Sequence, residues 1–106
     1  MINYDDFEKL DIRIGKILSA EKVKGTDKLM KLVIDFSAEK RQLVAGIAHF
    51  FEPDQLIGKE IPVLLNLEAR SFKGIESQGM VLAIDVDGKP VLLHPEREVP
   101  PGSIIR

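Results

Sequence analysis

The stretch DIRIGKILSAEKV, residues 11–23, alternates apolar and polar side chains through Ile12 and Ile14, but its next large apolar residue is Ile17, not residue 16. The alternation slips by one at Gly15–Lys16. Because side chains in a strand point to opposite faces in turn, a slip beside a glycine marks a bulge or sharp bend inside one long strand. A first strand bent in its middle can belong to both halves of a curled sheet, which is how a small closed barrel begins.

Outward from that stretch, the chain supplies the rest of such a barrel. Upstream, INYDDFEKL predicts one short helix: Asn3 caps it, Asp5 and Asp6 suit its positive end, and Tyr4, Phe7 and Leu10 give it an apolar face. Downstream, KGTDK is turn chemistry, and KLMKLVIDF alternates cleanly through Leu32, Ile34 and Phe36. SAEK connects tightly to a third strand, RQLVAGI. HFFEPDQLIGK reads as a short helix or turn, with Pro53 early and Gly58 as its stop. EIPVLLNL is the fourth strand, part of it confined by Pro62 to an edge or bulge, and QGMVLAIDV is the fifth. Val86-Asp87-Gly88-Lys89 is a hairpin turn leading to PVLLHP, and the tail EVPPGSIIR ends in Ile104 and Ile105. The pattern predicts an all-β protein: a five-stranded OB-fold barrel with a short N-terminal helix and a C-terminal extension. Pattern alone leaves an SH3-like barrel open. The apolar extension must cover something, either its own core or another subunit.

Composition bounds the function. At 106 residues, 44% hydrophobic and 30% charged, residues 1–106 are expected to form one globular domain. The absence of cysteine excludes disulfide frameworks, thiol nucleophiles and cysteine-ligated zinc. The mixed, acidic N-terminus is unlike a secretory signal and no apolar run approaches spanning length, so a cytoplasmic protein without membrane attachment is expected. The net charge is −2, from 15 basic and 17 acidic residues. Phosphate contacts dominate nucleic-acid affinity, so that balance argues mildly against such a partner, although a local basic patch needs no global excess.

Catalysis finds no team. His49 and His94 lack companions, and GIESQG around Ser77 has neither the spacing nor the strand-turn-helix setting of a nucleophile elbow. Carboxylates are scattered among lysines, without calcium-loop or two-metal spacing. No enzyme, cofactor or metal is indicated. Basic residues are more suggestive. Lys22, Lys24, Lys28 and Lys31 surround the first turn, Lys40 and Arg41 follow on the next hairpin, and Arg70 and Lys73 flank the polar segment SFKGIESQGM, residues 71–80. In an OB barrel the turn after strand one and the chain between strands four and five share one rim of the binding face, so these cations would converge. With five Phe and one Tyr there is no ladder for stacking several bases, which favours a folded RNA read through backbone and sugar. Within SFKGIESQGM, Gly74 and Gly79 could simply permit a tight turn and a close crossing, with Ser77 and Gln78 satisfying local backbone. Equally, Lys73 and Arg70 could hold phosphate while Ser77, Gln78 and Asn66 bond ribose or bases and Met80 adds an apolar contact. Physics alone leaves these readings even.

NLEARSFKGIESQGM, residues 66–80, resembles the signature of the tRNA-binding domain found as the C-terminal or beta component of methionyl-tRNA synthetases and as free-standing tRNA-binding proteins. DFEKLDIRIGKI (6–17), DKL (27–29), RQLVAGI (41–47), EPDQLIGK (52–59) and VPPGSIIR (99–106) extend the resemblance over nearly the whole chain. The family commonly has proline where Ala69 stands, and His-Pro-Asn-Ala where this chain has Val23-Lys24-Gly25-Thr26. The resemblance implies a non-enzymatic OB-fold homodimer that binds folded tRNA, alone or alongside methionyl-tRNA synthetase. It places the tRNA contacts on Asn66, Arg70, Lys73, Ser77 and Met80, with Lys28 and Arg41 nearby. DDFEKLDIRIG and KLVIDF also resemble CsaA-type export chaperones, which share the fold and dimer and imply binding of extended polypeptides instead.

Overall fold

A computed structural model describes residues 1–106. Helix α1 (Tyr4–Glu8) opens with the capping box expected of Asn3: its side chain accepts the Asp6 amide at 2.9 Å while the Asp6 carboxylate faces the Asn3 amide. Strand β1 (Ile12–Lys22) is the long strand. It pairs antiparallel with β4 (Glu60–Leu64) through Ile12–Lys16, and with β2 (Met30–Asp35) through Lys16–Lys22. Lys16 is the pivot, opposite Glu60 on one side and Asp35 on the other. The sheet continues from β2 to β3 (Lys40–Ala45) and from β4 to β7 (Met80–Val81), giving the order β3-β2-β1-β4-β7. This is the five-stranded OB-type barrel that the pattern predicts. Helix α2 (Pro53–Leu56) follows β3, with Pro53 at its first position and Gly58 at φ +87 beyond its end.

The bend in β1 is not built as the alternation suggests. The register shift lies between Ile17 and Ser19, so the bulged residue is Leu18 rather than Gly15–Lys16. The slip in apolar pattern has another cause. Ile17 belongs to the barrel core with Leu32, Ile34, Leu43, Ile61 and Val63, and Gly15 faces the same way: a Cβ there would collide with the side chains of Ile34 and Phe36. Ile14 is buried but lies outside that core, on the opposite face. Both faces of the strand's first half are covered, so apolar residues occur on both.

Beyond β4 the chain departs from the expected plan. The polar segment is a hairpin of β5 (Arg70–Phe72) and β6 (Ile75–Ser77), turned by Lys73 at φ 54 and Gly74 at φ 79. The expected fifth strand is split at Leu82. Only β7 joins the barrel, whereas β8 (Ala83–Val86) leaves it to pair with β9 (Lys89–Leu92) around the turn at Asp87–Gly88. Pro62 marks the split: it has no amide to donate, and only its carbonyl engages the departing chain, accepting from Leu82 at 3.1 Å. The tail is tied down on its own barrel. Ile14 donates to Ser103 at 2.9 Å, Gly102 donates to Ile14 at 2.7 Å, and Ile105 donates to Ile12 at 2.8 Å, so residues 102–105 occupy the edge of β1 that β2 has left. No helix is long and apolar enough to cross a membrane.

Candidate nucleic-acid interface

The site begins with two apolar side chains in a polar hairpin. Phe72 and Ile75, paired directly across the β5–β6 turn, pack on a small cluster of Val23, Leu29 and Val44. Val23 and Leu29 bracket the turn after β1, which is shaped by Gly25 at φ +84 and by the Thr26 hydroxyl accepting the Lys28 and Leu29 amides at 3.2 and 3.1 Å. That cluster clamps turn and hairpin side by side. Lys24 and Lys28 on the turn, and Arg70 and Lys73 on the hairpin, are exposed and form no ion pair. Other nearby cations are committed: Lys22 to Glu52 at 3.0 Å and Lys31 to Glu21 at 2.9 Å. The Lys31 hydrogen bond, then its charge, hold the Glu21 carboxyl below its ordinary pKa, with Lys24 adding a smaller pull in the same direction.

The residues singled out in the sequence fall into two groups. Lys28, Arg70, Lys73 and Met80 present their side chains to solvent around this rim, Met80 being 43% exposed. The Arg70 guanidinium lies 5.0 Å above the Phe72 ring. Asn66, Arg41 and Ser77 are instead engaged with backbone. Asn66 accepts the Asp11 amide at 2.8 Å and donates to the Lys9 carbonyl at 2.6 Å, fastening the end of α1 to the end of β4. Arg41 donates to the carbonyls of Leu65 and Gln78 at 2.6 and 3.1 Å and pairs with Glu39. Ser77 is only 4% exposed; its hydroxyl accepts the Val44 amide and donates to the Gly79 carbonyl, both at 3.0 Å.

These bonds close the barrel. Between β3 and residues 76–79, Gln78 donates its amide to the Gln42 carbonyl at 2.9 Å and accepts the Gln42 amide on Oε1 at 3.1 Å. The Gln42 side chain then donates to the Glu76 carbonyl at 2.9 Å. Gln42 was not apparent as part of the site from sequence; its one signal is an amide on the strand facing ESQ. Also unanticipated is a cleft of about 220 Å³ between the end of β3 and the β4–β5 chain, lined by Leu67, Phe72, Met80, Val81 and Ala83 among others. His49 stands 3.7 Å from Asp27 on the surface, and His94 Nδ1 meets the Glu60 carbonyl at 2.8 Å. No cluster of His, Cys, Asp or Glu has the composition of a metal site.

Barrel, helix position and rim together define an OB-fold binding module. Comparison with known proteins narrows the class. Residues 12–104 match the family model described as "Putative tRNA binding domain", and the chain belongs to that family. A methionine–tRNA ligase of Archaeoglobus fulgidus is 56% identical over 102 residues, covering 96% of this chain and 16% of that enzyme. The chain thus spans a small part of the curated relatives that it matches. Among solved structures, a MetRS-related protein from Pyrococcus horikoshii superposes with a TM-score of 0.95 at 38% identity, over 100% of this chain and 98% of that one. The chaperone CsaA of Bacillus anthracis superposes with a TM-score of 0.90 at 34% identity, over 100% and 99%.

Proposed function

We propose that residues 1–106 form one non-catalytic unit that binds the outside of folded tRNA in the cytoplasm. It works as a homodimer, free-standing or as a beta component that raises the tRNA affinity of a methionyl-tRNA synthetase. The carrying observation is the Phe72–Ile75 clamp on Val23, Leu29 and Val44, which ties the turn bearing Lys24 and Lys28 to the hairpin bearing Arg70 and Lys73, all four outside any ion pair. A phosphate backbone is the ligand that unpaired, solvated cations on a rim suit best. Lys28, Arg70, Lys73 and Met80 are the contacting residues in this reading; Asn66, Arg41 and Ser77 hold the rim in place. A handful of cationic contacts binds weakly, and a two-fold axis doubles the surface along one large RNA. Exposed apolar side chains support self-association: Tyr4, Leu10, Ile104 and Ile105 at one end, Ile84, Val86, Val91 and Leu93 on the β8–β9 hairpin.

The apolar cleft and the likeness to CsaA favour a second reading, an export chaperone that holds extended polypeptide. Titration with folded tRNA at two salt concentrations, beside heat-unfolded tRNA and an extended apolar peptide, separates the two. Salt-sensitive binding that prefers folded tRNA supports the first. Salt-indifferent binding of the peptide alone replaces it with the second.

A further inference from the structure

We propose that the cleft beside Met80 receives a single unstacked nucleobase of the bound RNA. The inference rests on the tRNA reading above and adds a ligand subsite to it. The cleft is about 220 Å³, below the roughly 300–1,000 Å³ of a small-molecule pocket and on the scale of one planar heterocycle. Its lining is mostly apolar, Leu67 and Met80 stay partly exposed there, and Glu68 and Arg70 are its charged residues. A phosphate is poorly suited to it: most of the lining is apolar carbon, the Glu68 carboxylate stands beside the one lining cation, Arg70, and Lys24, Lys28 and Lys73 lie outside it. A base suits it. Unpaired bases of folded RNA are recognised by splaying them onto aromatic rings or guanidinium planes, and Arg70 already lies over Phe72 at the cleft wall. Lys24, Lys28 and Lys73 flank that wall through the Phe72–Ile75 clamp, so a backbone held on the rim has one of its bases within reach of the cleft. The scarcity of aromatic side chains fits a subsite for one base, not a track for many.

Gly46 provides the test. It lines the cleft, has no positive φ, and a Cβ there meets nothing within 4 Å, so an added side chain extends into open space without straining the backbone. Affinity for folded tRNA is measured over a salt series for wild type, Gly46→Leu and Lys73→Ala, with thermal melts of each. The expected result for Gly46→Leu is about tenfold weaker binding with an unchanged salt slope and an unchanged melt, because base stacking is lost and no phosphate contact is. Lys73→Ala should instead flatten the slope. If Gly46→Leu binds tRNA like wild type while Lys73→Ala is weakened, the cleft is empty in the complex; the base subsite falls and the tRNA reading stands. If Gly46→Leu keeps tRNA but loses an extended apolar peptide, the cleft is a peptide groove and the proposal is overturned. If wild type ignores folded tRNA, both readings fall together. Should Gly46→Leu fail to fold, Ala83→Leu, exposed on β8 and lining the same cleft, is read in the same way.

Discussion

The Ser77 hydroxyl both accepts and donates, bridging the Val44 amide of β3 to the Gly79 carbonyl in a nearly buried position. A residue of this kind and an exposed cation such as Lys73 affect binding by different routes, and they can be told apart. Ser77→Ala leaves a buried amide without its acceptor, which costs about 1–3 kcal/mol. At roughly 4–8 °C per kcal/mol for a domain of this size, the melting temperature should fall by about 5 °C or more. Affinity for folded tRNA should fall modestly through loosening of β6, with the salt slope preserved. Thermal melts and a salt series on the same preparation check both halves. A variant that melts like wild type but no longer binds would place the hydroxyl against RNA instead of in the barrel closure. Asn66 and Arg41 belong with Ser77 on this argument, since each is engaged with main-chain groups from distant parts of the chain.

At the scale of elements, the β5–β6 hairpin is where charge meets shape. Arg70 and Lys73 lie outside every ion pair, so each should contribute close to a full phosphate contact. Lys73→Ala and Arg70→Ala should each weaken tRNA binding and lower the magnitude of the log–log salt slope by about one. Wild-type behaviour in both would mean that the groove lies elsewhere. The sequence signalled these cations and the family motif around them, yet it did not show that the motif is a hairpin. Two apolar residues, Phe72 and Ile75, are too few for an alternation, and what they pack on comes from β3 and from the turn after β1. The division of QGMVLAIDV was hidden for a related reason. Its composition is uniformly strand-like, and the break at Leu82 is imposed from outside, by the missing amide of Pro62 and by the pairing of Ala83–Val86 with β9. Where local chemistry was enough, the reading succeeded: the Asn3 cap, the clean alternation of β2, Pro53 opening α2 and the Asp87–Gly88 turn are all present. Partners set by the barrel as a whole, such as that of the Ser77 hydroxyl, leave no local trace.

At the scale of the molecule, the tail has one role that the fold shows and a second that the proposed dimer would give it, and deletion alone would confuse the two. Its backbone fills the open edge of β1 within its own subunit, with Gly102 pressed so closely on the Phe36 carbonyl that no side chain fits. Its side chains face outward: Ile104 is 50% exposed and, with Ile105, forms one wall of a groove whose other wall is Tyr4, Phe7 and Leu10 of the α1 region. An exposed strand edge and an exposed apolar groove are separate liabilities, answered by pairing in the first case and by a partner in the second. Ile104→Lys with Ile105→Lys keeps the backbone pairing and removes only the apolar wall, so sedimentation should report a monomer that still melts cooperatively. Deleting residues 99–106 removes the wall, three backbone hydrogen bonds to β1 and the Val99 amide that the buried Glu60 carboxylate accepts from at 2.9 Å, and uncovers Ile14 besides. Its melting temperature should therefore lie below that of the double variant by about 5 °C or more. That difference isolates the tail's role within the fold from the role between subunits that the proposed dimer would give it. If the double variant stays dimeric, the two-fold axis does not pass through this groove. The interface would then have to run through the other exposed apolar face, where Ile84, Val86, Val91 and Leu93 stand on the hairpin that left the barrel at Leu82.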